Sequence, residues 1–249
     1  IAILMLSIDR IMISSFIDLQ SVGTYKVAQN YVSLIDVFIT PFIAFWPVIS
    51  KLYNENKIAQ IEIEMKKIVR IVTYLAVPMI FLFFFLCDRL LLIFGEEYVK
   101  KEAKIALIIL GFSYLIDAIS GPIGSILTMT KYARFTLYNN IASLILNLTF
   151  NYFFIVRYGI IGAAIGTGLS VIANNLMSIF EVKILIGVFS YDLRNIVQIC
   201  SLVVLNLSLC ILISNFIYIR NLLLYIFVFG VLLYMGNATI IGLIYFKKI

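Results

Sequence analysis

Runs of about twenty apolar residues follow one another along almost the whole of this 249-residue chain, and no other feature restricts its fold as strongly. A helix needs roughly 20 such residues to cross a hydrocarbon core of about 30 Å. Eight runs can be counted, at residues 1–19, 28–50, 68–94, 103–129, 135–156, 160–186, 196–217 and 221–246. In lipid the backbone must satisfy its own hydrogen bonds, which a helix does within one segment. The alternative, a membrane β-barrel, needs short segments of alternating polarity, and these do not occur. Composition agrees: 63% of residues are hydrophobic and 13% charged, against roughly 25% charged in soluble domains, and the mean hydropathy is +1.09. The expected class is all-α, a polytopic membrane helix bundle of about eight transmembrane helices.

Ile1 already lies inside an apolar run with no basic region before it, which is not the pattern of a signal peptide. The chain therefore reads as the later part of a longer protein. A net charge of +6 raises the question of nucleic acid, and the placement of the charges answers against it. Lys51, Lys57, Lys66, Lys67, Arg70, Lys131, Arg134, Lys183, Arg194, Lys247 and Lys248 fall in alternate connections and at the C-terminus. Lys26, Arg89, Lys100, Lys101, Lys104, Arg157 and Arg220 fall on the other side. By the positive-inside rule the first group is cytoplasmic, which puts both chain ends inside. Cys87, Cys200 and Cys210 sit in apolar stretches without metal-ligand spacing and read as small buried residues. No metal site and no cofactor is expected.

Two connections are longer than the rest. KLYNENKIAQIEIEMKKIVR carries Ile58, Ile61, Met65 and Ile68 at helical spacing, which predicts an amphipathic helix on the cytoplasmic face. GEEYVKKEAK, residues 95–104, mixes signs and reads as an exposed connection. Pro41 and Pro47, Pro78, and Pro122 interrupt the second, third and fourth runs; each removes a backbone hydrogen bond that neighbours or water must replace. Gly162 and Gly166 have the spacing of close helix packing.

Polar residues inside the runs form stripes. At roughly 100° per residue, Ser7, Arg10, Ser14 and Asp18 share one face of the first helix, and Asp9 lies off it among Met5, Met12, Ile13 and Phe16. Lys26, Gln29, Ser33, Asp36 and Thr40 share an arc of the second. The fourth aligns Ser113, Asp117, Ser120, Gly124 and Thr128; the fifth aligns Thr136, Asn140, Ser143, Asn147 and Asn151; the sixth adds Thr167, Ser170 and Asn174. Polar groups are too costly on a lipid face, so the stripes predict a hydrated interior. Arg10, Lys26, Gln29, Asn140, Asn147, Asn151 and Asn174 are the candidate substrate-facing residues, suited to a ligand with anionic and hydroxyl-rich parts. Asp9 is expected to pair with a neighbouring helix, as a packing or coupling residue. The third run, containing PMIFLFFFL, and the last two are expected to face lipid or form an apolar groove.

The segments FGEEY, ILGFSYLIDAISGPIGSILTMT, NNIASLILNLTFNYFFI and RYGIIGAAIGTGLSVIANN, with IDRIMISSFIDLQSVGTYKVAQ and PVISKLY before them, resemble the oligosaccharide flippases, or polysaccharide transporters, of the multidrug/oligosaccharidyl-lipid/polysaccharide exporter superfamily. Lys131 departs from that pattern, where the family often has glycine. The resemblance implies helices 7 to 14 of a fourteen-helix, MATE-like exporter. Residues 1–187 would be the C-terminal six-helix lobe and 188–249 two additional helices, with the N-terminal six-helix lobe absent. It further implies flipping of a polyprenyl-diphosphate-linked oligosaccharide across the cytoplasmic membrane by alternating access, for cell-surface polysaccharide biosynthesis. Partners would then be the lipid-linked substrate, membrane lipid, polysaccharide-assembly proteins, and a proton or sodium ion coupled through Asp36 and Asp117.

Other functions leave different traces. A drug/cation antiporter of the same superfamily would favour a more acidic interior than one holding Arg10 and Lys26. A membrane enzyme of polysaccharide assembly is disfavoured because the chain has no histidine, the usual general base at neutral pH, and no enzymatic activity is expected. A scaffold without a transport cycle would have little use for repeated polar stripes.

Overall fold

The structure is a computed structural model that describes residues 2–216 and 222–246; Arg220, Lys247 and Lys248 lie outside them. The described chain is helical throughout: α1 Ala2–Phe16, α2 Leu19–Val32, α3 Asp36–Ile39, α4 Trp46–Asn54, α5 Ile58–Phe85, α6 Cys87–Leu92, α7 Lys101–Thr128, α8 Ala133–Leu185, α9 Leu193–Phe216 and α10 Leu222–Phe246. Among the described residues, α5, α7, α8 and α9 are long and apolar enough to cross a membrane, and α2 to α4 form a further span if their 44° bend is allowed. Together with the family assignment below, this makes the chain a multi-pass membrane protein.

The first two helices meet earlier than their apolar runs imply. The expected helix over 1–19 stops at Phe16, and α2 begins at Leu19 rather than 28. Asp18 is the reason: its backbone is extended (φ −166°, ψ 169°) and its carboxylate accepts the Ser21 amide at 2.6 Å, capping α2. That bond holds the exposed Asp18 carboxyl below the usual carboxylate range. Asp18 thus leaves the stripe with Arg10, and Lys26 lies within α2 instead of a loop. Beyond Val32 the span passes through 3-10 turns at Ser33–Ile35 and Thr40–Phe45 before α4, with Pro41 and Pro47 each at the start of its element. The register of the arc from Lys26 to Thr40 is lost there.

Two expectations are corrected in α5. The segment with Ile58, Ile61, Met65 and Ile68 is not a separate surface helix but the first turns of α5, because Ile61, Met65 and Ile68 are buried in the same core as the rest of it. Most of the greasy stretch after Pro78 does not face lipid: Ile80, Phe81, Leu82 and Phe83 are buried, while Phe84 lines an apolar groove with Ile108 and Phe112 and Phe85 is exposed. α5 packs on α7, α9 and α10, so neighbouring helices take the place that lipid was assigned.

α8 is a hairpin, with arms 133–158 and 160–185 reversing at Gly159. The turn needs glycine, since its φ of 59° with ψ −134° is strained for any side chain. Small and polar residues then zip the arms together. The Ser143 hydroxyl donates to the Ser170 carbonyl at 3.0 Å, and Asn139 donates to Ser178 at 3.4 Å and Glu181 at 2.6 Å. Gly162 lies so close to the first arm that a Cβ would overlap the Phe154 carbonyl, and one at Gly166 would overlap the Asn151 side chain.

α9 and α10 pack on the outside of α5. Only 22% of the most apolar stretch of α9 is buried, as a lipid-facing helix requires. Asn206 and Asn237 exchange amide hydrogen bonds of 3.0 and 2.8 Å between the two, and Arg70 on α5 reaches Asn195 at 2.7 Å and Asp192 at 3.1 Å at the start of α9.

Replacing Gly162 by alanine is expected to destabilise the protein by about 1–3 kcal/mol, the usual range for overpacking, because the obstructing atom is backbone and cannot swing away. Gly23, whose Cβ would make only ordinary contact with Tyr98 at 3.6 Å, is the control. Thermal unfolding of the full-length protein in detergent should show a lower midpoint for Gly162→Ala and an unchanged or higher one for Gly23→Ala.

Candidate functional site

Asp9 is fully buried at the point where α1 meets α2 and both arms of α8. Its Oδ1 accepts the side-chain amides of Asn151 at 2.6 Å and Asn147 at 3.2 Å. Its Oδ2 accepts the Thr167 hydroxyl at 2.7 Å, the Tyr25 hydroxyl at 3.1 Å and the Gln29 amide at 3.4 Å. The donors also meet one another: Tyr25 and Thr167 hydroxyls lie 3.3 Å apart, and Asn151 donates to Asn147 at 3.3 Å. A carboxylate offers about four acceptor sites, so five donors saturate it.

Helical spacing explains why these residues converge. Asn147 and Asn151, one turn apart, share a face of the first arm, and Tyr25 and Gln29 do the same on α2. Close packing at Gly166 lets Thr167 approach them from the second arm. Every member of this shell is neutral, and among the described residues Asp9 takes part in no ion pair. Burying an ionised carboxylate is expensive unless its charge is balanced. The shell satisfies the carboxylate's acceptor sites without supplying a balancing positive charge. The Asn151 Oδ1 beside it is buried without a hydrogen bond. No group of three His, Cys, Asp or Glu that could hold a metal ion occurs among the described residues.

The expected substrate-facing residues fall into two sets. Gln29, Asn147 and Asn151 are enclosed as the shell of Asp9. Arg10, about 100° round the helix, is half-buried with its guanidinium 3.3 Å from the Ser7 hydroxyl, and Lys26 is exposed on α2. Asn140 and Asn174 are half-buried on opposite arms of α8, and the Asn174 Oδ1 has no hydrogen bond.

The other two acids are near each other. Asp117 on α7 accepts the Asn175 amide at 2.7 Å. Asp36 lies on α3, which packs against α7, and is exposed. Tyr114 lies one turn before Asp117 on α7. Tyr25, Thr167 and Asn175 complete these sites and were not among the expected site residues. The usable signals were Tyr25 four positions before Gln29, and Thr167 in the polar stripe of its helix.

Residues 1–153 match the family described as MatE. The chain belongs to the MatE family. That match contains Asp9, Tyr25, Gln29, Asn147 and Asn151, and so most of the enclosed shell. The chain is also 26% identical over 171 residues to the probable low-salt glycan biosynthesis flippase Agl15 of Haloferax volcanii, covering 68% of this chain and 36% of that one. Its fold resembles the lipid II flippase MurJ in an inward closed conformation, with a TM-score of 0.62 at 16% identity over 93% of this chain and 52% of the other. The MatE chain described here thus spans about a third of the length of the first relative and about half of the second.

Asp9→Leu removes the acceptor and leaves five donors facing an apolar side chain. Each unsatisfied buried donor costs about 1–3 kcal/mol, so the unfolding midpoint should fall further than for any substitution at the exposed Asp18, and Asp9→Asn should fall between them. Equal midpoints for Asp9→Leu and the wild type would show that the shell is not a stabilising unit.

Proposed function

We propose that this chain forms one lobe of a transporter that flips a polyprenyl-diphosphate-linked oligosaccharide across the cytoplasmic membrane by alternating access, for cell-surface polysaccharide assembly. On this reading residues 1–187 are a six-helix transport lobe, 188–249 two additional helices, and an upstream six-helix lobe completes the cavity. The likeness to two flippases that are each longer than this chain supports the division. Both chain ends are cytoplasmic, in keeping with the basic residues of alternate connections.

The observation that carries the reading is the sorting of charge on α1 and α2. The acid Asp9 is sealed from solvent while its sequence neighbour Arg10 and the α2 cation Lys26 stay at the periphery. A surface presenting cations and amides attracts a diphosphate and sugar hydroxyls: Arg10 and Lys26 contact phosphate oxygens, and Asn140 and Asn174 meet the oligosaccharide. A cationic drug would be repelled by the same surface, which sets the drug antiporter second.

The acids serve the driving ion. A proton or a sodium ion balances Asp9 within its neutral shell. Asp36 on α3 and Asp117 on the adjoining α7 form the second place where an entering cation is held. Loading these sites changes the electrostatic cost of packing α1 against α8, and that difference biases the lobe between its two orientations. The chemistry is binding and movement, with no bond made or broken in the substrate. Membrane lipid fills the outer faces of α9 and α10, and assembly proteins supply and consume the glycolipid.

In the full-length protein, Arg10→Glu and Lys26→Glu should each lower the appearance of glycolipid in the outer leaflet by tenfold or more, since a repelled diphosphate loses on the order of 1.4 kcal/mol for each tenfold step. Asp9→Asn should leave glycolipid binding intact but abolish the dependence of flipping on an imposed proton or sodium gradient. Full export by both charge reversals would remove the cations from the substrate path. Gradient-dependent export by Asp9→Asn, Asp36→Asn and Asp117→Asn together would remove the acids from coupling.

A further inference from the structure

Two of the spanning helices carry an internal proline, Pro78 in α5 and Pro122 in α7. A proline lacks the amide that its turn requires, and its ring presses on the carbonyl four residues back, so the turn before it opens. In lipid, polar groups exposed by such an opening need another partner. In both helices a tyrosine hydroxyl arrives at the same register. Tyr234 on α10 donates to the carbonyl of Leu75, three residues before Pro78, at 2.9 Å. Tyr191, two residues before α9, donates to the carbonyl of Ile119, three residues before Pro122, at 3.5 Å. A carbonyl oxygen has two lone pairs, so each can take this bond while its helical bond lengthens or breaks.

The tyrosines come from one part of the chain, and the prolines from another. Tyr191 and Tyr234 belong to the unit formed by α9, α10 and the segment leading into them. α5 and α7 belong to the bundle around the acids, where α7 packs on α2, α5 and both arms of α8. Other contacts fix the unit independently: Arg70 to Asp192 and Asn195, the Gln198 amide to the Arg70 carbonyl at 3.1 Å, and Arg89 stacked 3.9 Å from the centre of the Tyr225 ring. The unit is therefore anchored at places other than the two hydroxyls. Asp117, the acid proposed above for coupling, lies five residues before Pro122, and Ile119 is between them.

We propose that Tyr234 and Tyr191 are positioning residues, through which the two-helix unit holds the proline turns of the two bundle helices, before Pro78 in α5 and before Pro122 in α7. Each hydroxyl stabilises a turn that its proline leaves one hydrogen bond short. Losing one releases its turn without disturbing the anchor contacts. During a transport cycle the same unit limits how far the two proline turns change shape, and it does so from outside the polar interior. Only this last consequence rests on the transport reading.

The test is a pair of double-mutant cycles in the full-length protein, Tyr234→Phe with Pro78→Ala and Tyr191→Phe with Pro122→Ala. Alanine restores the amide that bonds the carbonyl of Tyr74 or Ala118, so the turn is held from within and the next carbonyl, Leu75 or Ile119, no longer depends on an outside donor. Amide hydrogen exchange of residues 74–80 in detergent should rise about threefold to tenfold in Tyr234→Phe, the size of one net hydrogen bond, with the unfolding midpoint kept. In the Pro78→Ala background the same phenylalanine should change exchange less than twofold. Residues 118–124 should respond in the same way to Tyr191→Phe and Pro122→Ala. An equal effect of phenylalanine in both backgrounds, or none with proline present, overturns the proposal. Exchange needs no substrate, so this outcome is independent of what is transported. As a second measurement, Tyr234→Phe should lower maximal glycolipid flipping with its apparent KM unchanged, whereas a raised KM alone would place Tyr234 in substrate binding.

Discussion

Enclosing the carboxylate of Asp9 is the demand to which the rest of the bundle answers. An acid with no solvent contact must be met by donors from every direction, and no single helix can supply them. The solution draws on α1, α2 and both arms of α8, which fixes how those elements cross. Had one donor been Arg or Lys, the result would have been a permanent ion pair, costly to separate and indifferent to passing ions. Amides and hydroxyls satisfy the geometry without cancelling the charge. The site is thus held by directional bonds alone, with no permanent counter-charge in its shell.

The shell in turn relies on the hairpin. Asn147, Asn151 and Thr167 reach one carboxylate only because the arms of α8 run almost in backbone contact at Gly162 and Gly166. Gly159 supplies the reversal, and the polar pairs Asn139 with Ser178 and Ser143 with Ser170 continue the seam away from the site. In lipid, where apolar burial drives helices together weakly, small residues and interhelical hydrogen bonds are the expected means of association. One set of residues thus packs the arms and aligns the donors.

Periodicity exposed part of this and concealed the rest. The stripe through Asn147 and Asn151 was legible because both lie on an uninterrupted helix, where a fixed angle per residue holds. The partner of that stripe was not, because Asp9 is bordered by apolar side chains such as Met12 and Ile13 and stands out only as an isolated charge. A projection of one helix shows which residues share a face but not which face meets a neighbour. The arc from Lys26 to Thr40 failed for another reason: 3-10 turns near Pro41 and Pro47 change the angle per residue midway. The expected boundary at 19 missed that Asp18 stops one helix and caps the next, since an aspartate among apolar residues looks the same in either role. For the stretch around Pro78, apolar on all sides, no projection could choose between lipid and protein.

That ambiguity bears on how the two outer helices relate to the bundle. α5 is buried because α9 and α10 lie against it, and these two keep a wide apolar face for lipid. A boundary of this kind could slide, since apolar side chains in lipid gain little by choosing one neighbour over another. Directional bonds prevent sliding: the reciprocal amides of Asn206 and Asn237 fix the two outer helices to each other, and Arg70 with Asp192 and Asn195 fixes the pair to α5. Neither set includes a residue of the shell around Asp9. These polar contacts thus fall into two groups, one that saturates the carboxylate at the centre of the bundle and one that holds the outer wall to a single alignment.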